Sequence, residues 1–417
     1  YNDVKAFCED SDGEMWIGTD GGGLDRYNRR EQTFVHYKYD PQNANSIGSN
    51  EVLSILEDSR KQLWIATWGG GLCRFDKRTN RFTRYQTTSK QAGTLGSDFV
   101  QCMVEDKPGR LYVGTYFGGL YVFDTEKEIF TPVAQSATTG NGVTGNNVVA
   151  LMKDKAGNIW VGTDDGGLNK IDAATGAVVH YFNQSKKKPD IRILFTDSKG
   201  NIWVGQQGLY VYQPHNKQFE IFTHAEGLSS LFIKGIVEDN NGNLWISTSY
   251  GLKKLNPGSK TVRSYNSNDG LQDMEFEANA AYMTKDGEVF MGGINGFNRF
   301  YPNEIKENSY LPPVYVTELW VHNQPVLGGR HSRLQNDISY SRELTLTYDS
   351  STFTLGFAAL NYTTSENNQF LYKLDNWDKD WLPAGKEQKA TYTNLPPGKY
   401  RFVVKAANND GIWNDKG

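Results

Sequence analysis

Val4-Lys-Ala-Phe-Cys-Glu-Asp10, Ser-Asp-Gly-Glu14, Met15-Trp-Ile-Gly-Thr19 and Gly21-Gly-Gly-Leu-Asp-Arg-Tyr27 read in turn as a strand, a tight turn, a second strand and a glycine turn into a third. The same text returns as Val52-Leu-Ser-Ile-Leu-Glu-Asp58, Leu63-Trp-Ile-Ala-Thr67 and Gly69-Gly-Gly-Leu-Cys-Arg-Phe75. Its large aromatic recurs at Trp16, Trp64, Tyr112, Trp160, Trp203, Trp245 and Phe290, at separations of 48, 48, 48, 43, 42 and 45 residues. A fixed period of this size marks a repeat architecture.

Each copy parses into four short strands, A to D. An Asp-x-x-Gly turn joins A to B at Asp10/Gly13, Asp106/Gly109, Asp154/Gly157, Asp197/Gly200 and Asp239/Gly242. There the carboxylate accepts turn amides and glycine takes a positive φ. Strand B carries the aromatic, and strand D alternates in period two, as in Phe34-Val-His-Tyr37 and Phe82-Thr-Arg-Tyr85. A lone four-stranded sheet cannot bury both faces, whereas sheets stacked about an axis can. The expected fold is therefore all-β: a seven-bladed β-propeller over residues 1–305. An open β-solenoid is the rival. The last copy shows no strand D before Pro302, so residues upstream of Tyr1 are expected to complete the ring.

The rhythm stops after Tyr301, and residues 306–313 read as a linker. Strand candidates follow at residues 314–319, 343–348, 352–360, 370–374, 390–395 and 400–407. They suit an immunoglobulin- or fibronectin-like β-sandwich over residues 314–417, with its C-terminal strand truncated. Trp377 and Trp381 are expected in the sandwich core or at its interface with the propeller.

With 417 residues, 44 Lys and Arg against 48 Asp and Glu give a net charge of −4, which argues against a nucleic-acid surface. No apolar run reaches the about 18 residues of a membrane span. The chain opens on Tyr-Asn-Asp without a leader-like segment and reads as an excised fragment. Three cysteines in apolar runs form no disulfide framework. Six scattered histidines give no metal-ligand spacing, and no nucleophile elbow or phosphate loop occurs, so neither metal nor cofactor is expected.

The repeats, with Glu-Asp-x-x-Gly-x-Leu/Ile-Trp-Ile/Val-Gly-Thr followed by Gly-Gly-Leu, resemble the two-component regulator propeller. The run Asn361-Tyr-Thr-Thr, Phe370-Leu-Tyr-Lys-Leu-Asp-Asn-Trp377, Trp381 and Leu395-Pro-Pro-Gly-Lys-Tyr400 resembles the Y_Y_Y domain. Their succession is similar to the periplasmic sensor region of hybrid two-component histidine kinases. That resemblance implies a non-catalytic ectodomain of an inner-membrane protein, working as a dimer. It would sense oligosaccharides from polysaccharide breakdown and control genes for their use. An earlier propeller would precede it, with a membrane helix and kinase after it.

The B–C turns and D–A connections vary between copies, and such loops carry sites on rigid scaffolds. Sugars need hydroxyl partners and flat apolar faces. The ligand candidates are therefore Trp68, Tyr116, Phe117 and Tyr250 as rings, with Asp20, Asp164, Asp165, Gln206, Gln207 and Asn295 as polar partners. For the three aspartates, plain turn duty competes equally, since Asp-Gly is a common hairpin turn. Two further readings stay open. A glycosidase or lyase would need two carboxylates roughly 5 to 10 Å apart across a bond, and a protein-interaction scaffold would use the same rim.

Overall fold

A computed structural model describes residues 1–87, 93–135, 141–182, 190–206, 208–222, 228, 232–306, 308–330, 332, 334–347, 350, 352–361, 365–385, 387–409 and 411–415. Gln207, Tyr348, His224, His331 and parts of the D–A connections lie outside these, as does the side chain of Gln206. The chain divides into two units, residues 1–305 and 306–417.

The first unit is a seven-bladed β-propeller. Six blades are four-stranded antiparallel meanders and the seventh has three strands. The A strands are Val4–Glu9, Val52–Glu57, Val100–Lys107, Val148–Lys153, Ile193–Thr196, Ile233–Glu238 and Phe276–Met283. Each lies beside the next around the axis, and the last packs against the first, so the ring is closed and an open solenoid is excluded. The buried cores run between blades, with the repeat tryptophans inside them.

A buried indole N–H needs an acceptor. The turn aspartate six residues earlier supplies it: Trp16 donates to Asp10 at 2.7 Å, Trp64 to Asp58 at 2.9 Å, Trp160 to Asp154 at 2.8 Å, Trp203 to Asp197 at 2.9 Å and Trp245 to Asp239 at 2.9 Å. The other carboxylate oxygen accepts two turn amides, as Asp197 does from Lys199 and Asn201. In the second blade Lys61 stands where the other turns have glycine, and holds φ at 63°.

The third blade departs from the expected turn. Asp106 lies within its A strand, the turn tightens to Pro108-Gly109, and Asp106 pairs with Arg110 at 3.4 Å. Tyr112 replaces the tryptophan, so no indole asks for the carboxylate.

The glutamate before the aspartate ties blades together. Ser11 N–H donates to Glu57 at 2.6 Å, Ser59 N–H to Glu105 at 2.9 Å and Ser198 N–H to Glu238 at 2.5 Å. The seam uses the same bond: Lys285 N–H reaches Glu9 at 2.9 Å, and Arg29 spans Glu9, Asp286 and Glu288. Close approach at the seam requires Gly292, where a Cβ would stand 2.6 Å from the Val4 carbonyl oxygen.

The second unit is a β-sandwich. Gln324–Pro325, Val314–Val321, Phe353–Ala359 and Lys389–Tyr392 form one sheet; Leu382–Pro383, Gln369–Asp375 and Arg401–Ala407 form the other. Leu319, Phe353, Leu355 and Phe357 meet Phe370, Leu374 and Val404 between them. The expected strand at residues 343–348 is not one: 343–347 make no ladder, although Leu344 and Leu346 still cover the core. Apolar alternation served burial there rather than a ladder. Trp377 and Trp381 are exposed at the surface rather than in the core, and Lys405 stacks on Trp381 at 4.9 Å. Side-chain amides hold the entering segment: the buried Asn408 donates to the carbonyls of Asn308 and Tyr310, and Asn414 to that of Pro312.

Asp197→Ala strands the Trp203 indole and two amides, so it should cost about 3 kcal/mol in urea unfolding. Lys61→Gly should stabilise by about 0.5–1 kcal/mol by relieving the left-handed backbone. At the seam, burial raises the Asp286 carboxyl, but hydrogen bonds from Arg29 and Thr284 outweigh it and hold it down to about 2. A carboxylate depressed by folding stabilises above its ordinary value of 3.8 and loses that effect as pH falls towards 2. Asp286→Asn should therefore flatten the loss of stability between pH 4 and 2, read from thermal melts.

Candidate functional site

In five blades the innermost strand meets its neighbour with a one-residue slip at the end where the B–C turns lie. The shifts fall between Val4 and Ala6, Val52 and Ser54, Val148 and Ala150, and Ile233 and Gly235, with another opposite Gly114/Thr115 in the third blade. A bulge frees one residue from the ladder and re-aims its side chain. The freed positions are Lys5, Leu53, Gln101, Val149 and Lys234, and Arg192 holds the corresponding place before Ile193, which pairs with Gly205. Their reach shows that this end of the axis is a shared mouth. Lys5 Nζ meets Glu277 at 2.9 Å and Asp3 and Asp20 at 3.4 Å, and Lys234 meets Glu275 at 3.8 Å.

Beside this mouth the second to fifth blades build one continuous arc. Trp68 packs edge-on to Phe99 at 4.7 Å between ring centroids and lies 5.5 Å from Tyr116. Phe117 stands edge-on to Tyr116 at 4.6 Å and to Phe99 at 5.8 Å. Phe117 is 65% exposed, and its φ of 69° turns the ring outward from the turn. Asp164, and then burial, raise the Tyr116 phenol above its ordinary value. Asp164 lies 3.7 Å from Arg192, which also pairs with Asp190 at 2.8 Å. The second Asp164 oxygen, Oδ1, is buried and has no hydrogen-bond partner among the described residues. Burial pushes the Asp190 carboxyl up despite Arg192.

The arc thus joins an aromatic ledge to a carboxylate with one buried, unpaired oxygen and to a half-exposed guanidinium. Such a surface stacks on an apolar face while bonding hydroxyls at its edge. The rim on the first-blade side of the ledge is acidic, and the Trp68 N–H donates to the Glu51 carbonyl there at 3.0 Å. Burial, then Glu277, raises the Asp3 carboxyl; burial, then Asp20, raises that of Glu51.

The structure brings together Trp68, Tyr116, Phe117 and Asp164. Asp20 belongs to the acidic side, bridged to Glu51 and held by Lys5. Asp165 does turn work, accepting from Asn146 N–H at 3.0 Å and Asn147 N–H at 3.4 Å. Asn295 is likewise absorbed, its N–H on Gln272 Oε1 at 2.9 Å. Tyr250 is 65% exposed on the sixth blade, with exposed Phe232 nearby in the same rim. Gln206 ends its B strand, and Gln207 lies outside the described residues.

Phe99, Gln101 and Arg192 lie at or beside the start of the innermost strands, outside the B–C turns and D–A connections in which the sequence places its candidates. The signal was present: the second position of strand A reads Lys, Leu, Gln, Val, Arg and Lys in the first six blades, between positions that hold small or branched apolar residues. Among the described residues no cluster of His, Cys, Asp and Glu could hold a metal ion, and no helix is long and apolar enough to cross a membrane.

Comparison with known proteins agrees with this architecture. The two-component regulator propeller family matches residues 1–21, 46–69, 94–117, 142–165 and 227–250, and the Y_Y_Y domain matches residues 361–417. The chain is thus built of regulator propeller repeats followed by a Y_Y_Y domain. It is similar to the extracellular domain of BT3049 from B. thetaiotaomicron, described as a hybrid two-component system: 26% identity over 99% of this chain and 54% of that one, TM-score 0.75. The extracellular domain of BT4673 from the same organism matches at 26% identity over 99% and 55%, TM-score 0.60. Histidine kinase P4 of Formosa agariphila is 31% identical over 210 residues, 50% of this chain and 15% of the kinase. The chain therefore spans about half of the extracellular domains it matches and a small part of the kinase. Streptogramin B lyase, at 13% identity and TM-score 0.54, shares the fold alone.

Asp165→Ala should lower stability by about 1–2 kcal/mol, since two backbone amides lose their acceptor. Asp164→Asn should stay within about 1 kcal/mol of the parent, because one of its oxygens serves no protein group. Chemical unfolding of both variants separates turn duty from site duty.

Proposed function

We propose that this chain is the ligand-receiving part of an extracytoplasmic sensor, facing the periplasm, that binds an oligosaccharide on the arc from Trp68 to Arg192 without cleaving it. The observation that carries this reading is the ledge itself: three packed rings and an exposed fourth beside Asp164, whose buried Oδ1 has no hydrogen-bond partner among the described residues. The pyranose C–H face stacks on Trp68 and Phe117, and ring hydroxyls donate to Asp164 and accept from Arg192. The similarity to extracellular domains of hybrid two-component systems supports a receptor whose kinase lies elsewhere in the longer protein. There the homodimer, the membrane anchor and control of carbohydrate-utilisation genes complete the pathway. Catalysis has less support. Each described carboxylate of the arc is engaged by turn amides, by Arg192 or by Tyr116, so no free acid and base pair stands ready there.

Titration calorimetry with a panel of neutral, uronate and sulfated oligosaccharides tests the proposal. Stoichiometric heat with one member and no new products is expected. Trp68→Ala or Phe117→Ala should weaken binding about tenfold or more with little change in melting temperature. Product formation would establish an enzyme instead, and binding that survives both substitutions would move the site off the arc.

A further inference from the structure

The aromatic ledge stands between two groups of carboxylates. On one side the Trp68 N–H donates to the carbonyl of Glu51, and Glu51 pairs with Asp20 in a backbone bridge. Asp20, Asp3 and Glu277 share a single cation, Lys5, at 3.4, 3.4 and 2.9 Å. On the other side Asp164 stands beside Tyr116, the ring 5.5 Å from Trp68, and shares Arg192 with Asp190. Between these groups around the axis, Lys234 has Glu275 at 3.8 Å. Three cations thus face seven carboxylates.

We propose that this excess of negative charge sets the class of ligand: an oligosaccharide without acid groups, taken in preference to its uronate or sulfated counterparts. The inference rests on the reading of the ledge as a sugar site and names what that site accepts.

Each of the three cations already has its counter-charge. Asp190 holds Arg192 through Nε at 2.8 Å and Asp164 approaches Nη2 at 3.7 Å, while Lys5 serves three acids. An acid group on the ligand would have to displace a carboxylate from one of these cations and leave that carboxylate without its partner. The crowding already acts on the protein's own groups. Burial, then Glu277, raises Asp3, and burial, then Asp20, raises Glu51. A ring hydroxyl meets the opposite situation, since it donates to a carboxylate and asks for no counter-charge. A cleft lined mainly by one sign of charge also concentrates its field. Anions are therefore turned away on approach as well as at contact.

Two measurements test this, and the first needs no sugar. Quenching of tryptophan fluorescence by iodide and by caesium, taken as the difference between the parent and Trp68→Phe, reads the potential at the ledge. Each constant is scaled to that of free N-acetyltryptophanamide. Iodide should then quench the Trp68 component about threefold less well than caesium at low salt, and the gap should close near about 0.5 M sodium chloride. Glu51→Gln combined with Glu277→Gln should narrow the gap at low salt without a large change in melting temperature. The second measurement is calorimetry on matched pairs: gluco-, galacto-, manno- and xylo-oligosaccharides against their uronate or sulfated counterparts. In the pair that binds, the neutral member should be tighter by about tenfold or more, and the double variant should shrink that ratio. Scaled constants that are equal for the two ions, or an acidic member that binds as tightly as its neutral counterpart, overturn this inference and leave the sugar site standing. Silence from every pair, with the quenching as expected, overturns instead the sugar reading on which it rests.

Discussion

The propeller depends on one buried carboxylate used twice in five of its blades. An indole is large enough to fill the space between two sheets, but it brings an N–H that burial would strand. A turn aspartate six residues earlier meets that N–H with one oxygen and closes the hairpin with the other. Core packing and turn conformation are thereby coupled, and neither can relax alone. In the first, second, third and sixth blades a glutamate precedes that aspartate position and accepts a backbone amide from the adjacent blade. Adjacent acids thus tie the blade to itself and to the ring.

That rigidity lets the opposite ends of the strands vary. Bulges in five of the innermost strands free one residue each from the ladder, and the B–C turns add another variable position. The bulged position ranges from the buried Val149 to Lys5, which pairs with carboxylates. Residues as unlike as Lys5, Leu53, Gln101 and Arg192 therefore occupy equivalent places. The aromatic ledge and the acidic side of the mouth are two outcomes of the same geometry.

Much of this was legible in advance because it rests on local spacing. The period, the Asp-x-x-Gly turn and the Gly-Gly-Leu entry all act within one hairpin, where sequence distance and spatial distance agree. Glu343 to Thr347 misled because alternating apolar residues can cover a core without a neighbouring strand to pair with. Asp164 and Asp165 are adjacent and alike, yet one has a buried oxygen with no hydrogen-bond partner among the described residues and the other holds a turn, a difference set by residues 146, 147 and 192 of other segments.

Periodicity and the backbone conformations open to glycine are enough to specify the seven repeats, their hairpin turns and the aromatic that each buries. Only the tertiary structure decided that Trp68, Phe99, Tyr116, Asp164 and Arg192 form one surface and that the seam closes between Glu9 and Lys285. Those contacts join residues tens to hundreds of positions apart, and no local rule encodes which blades curvature will bring together.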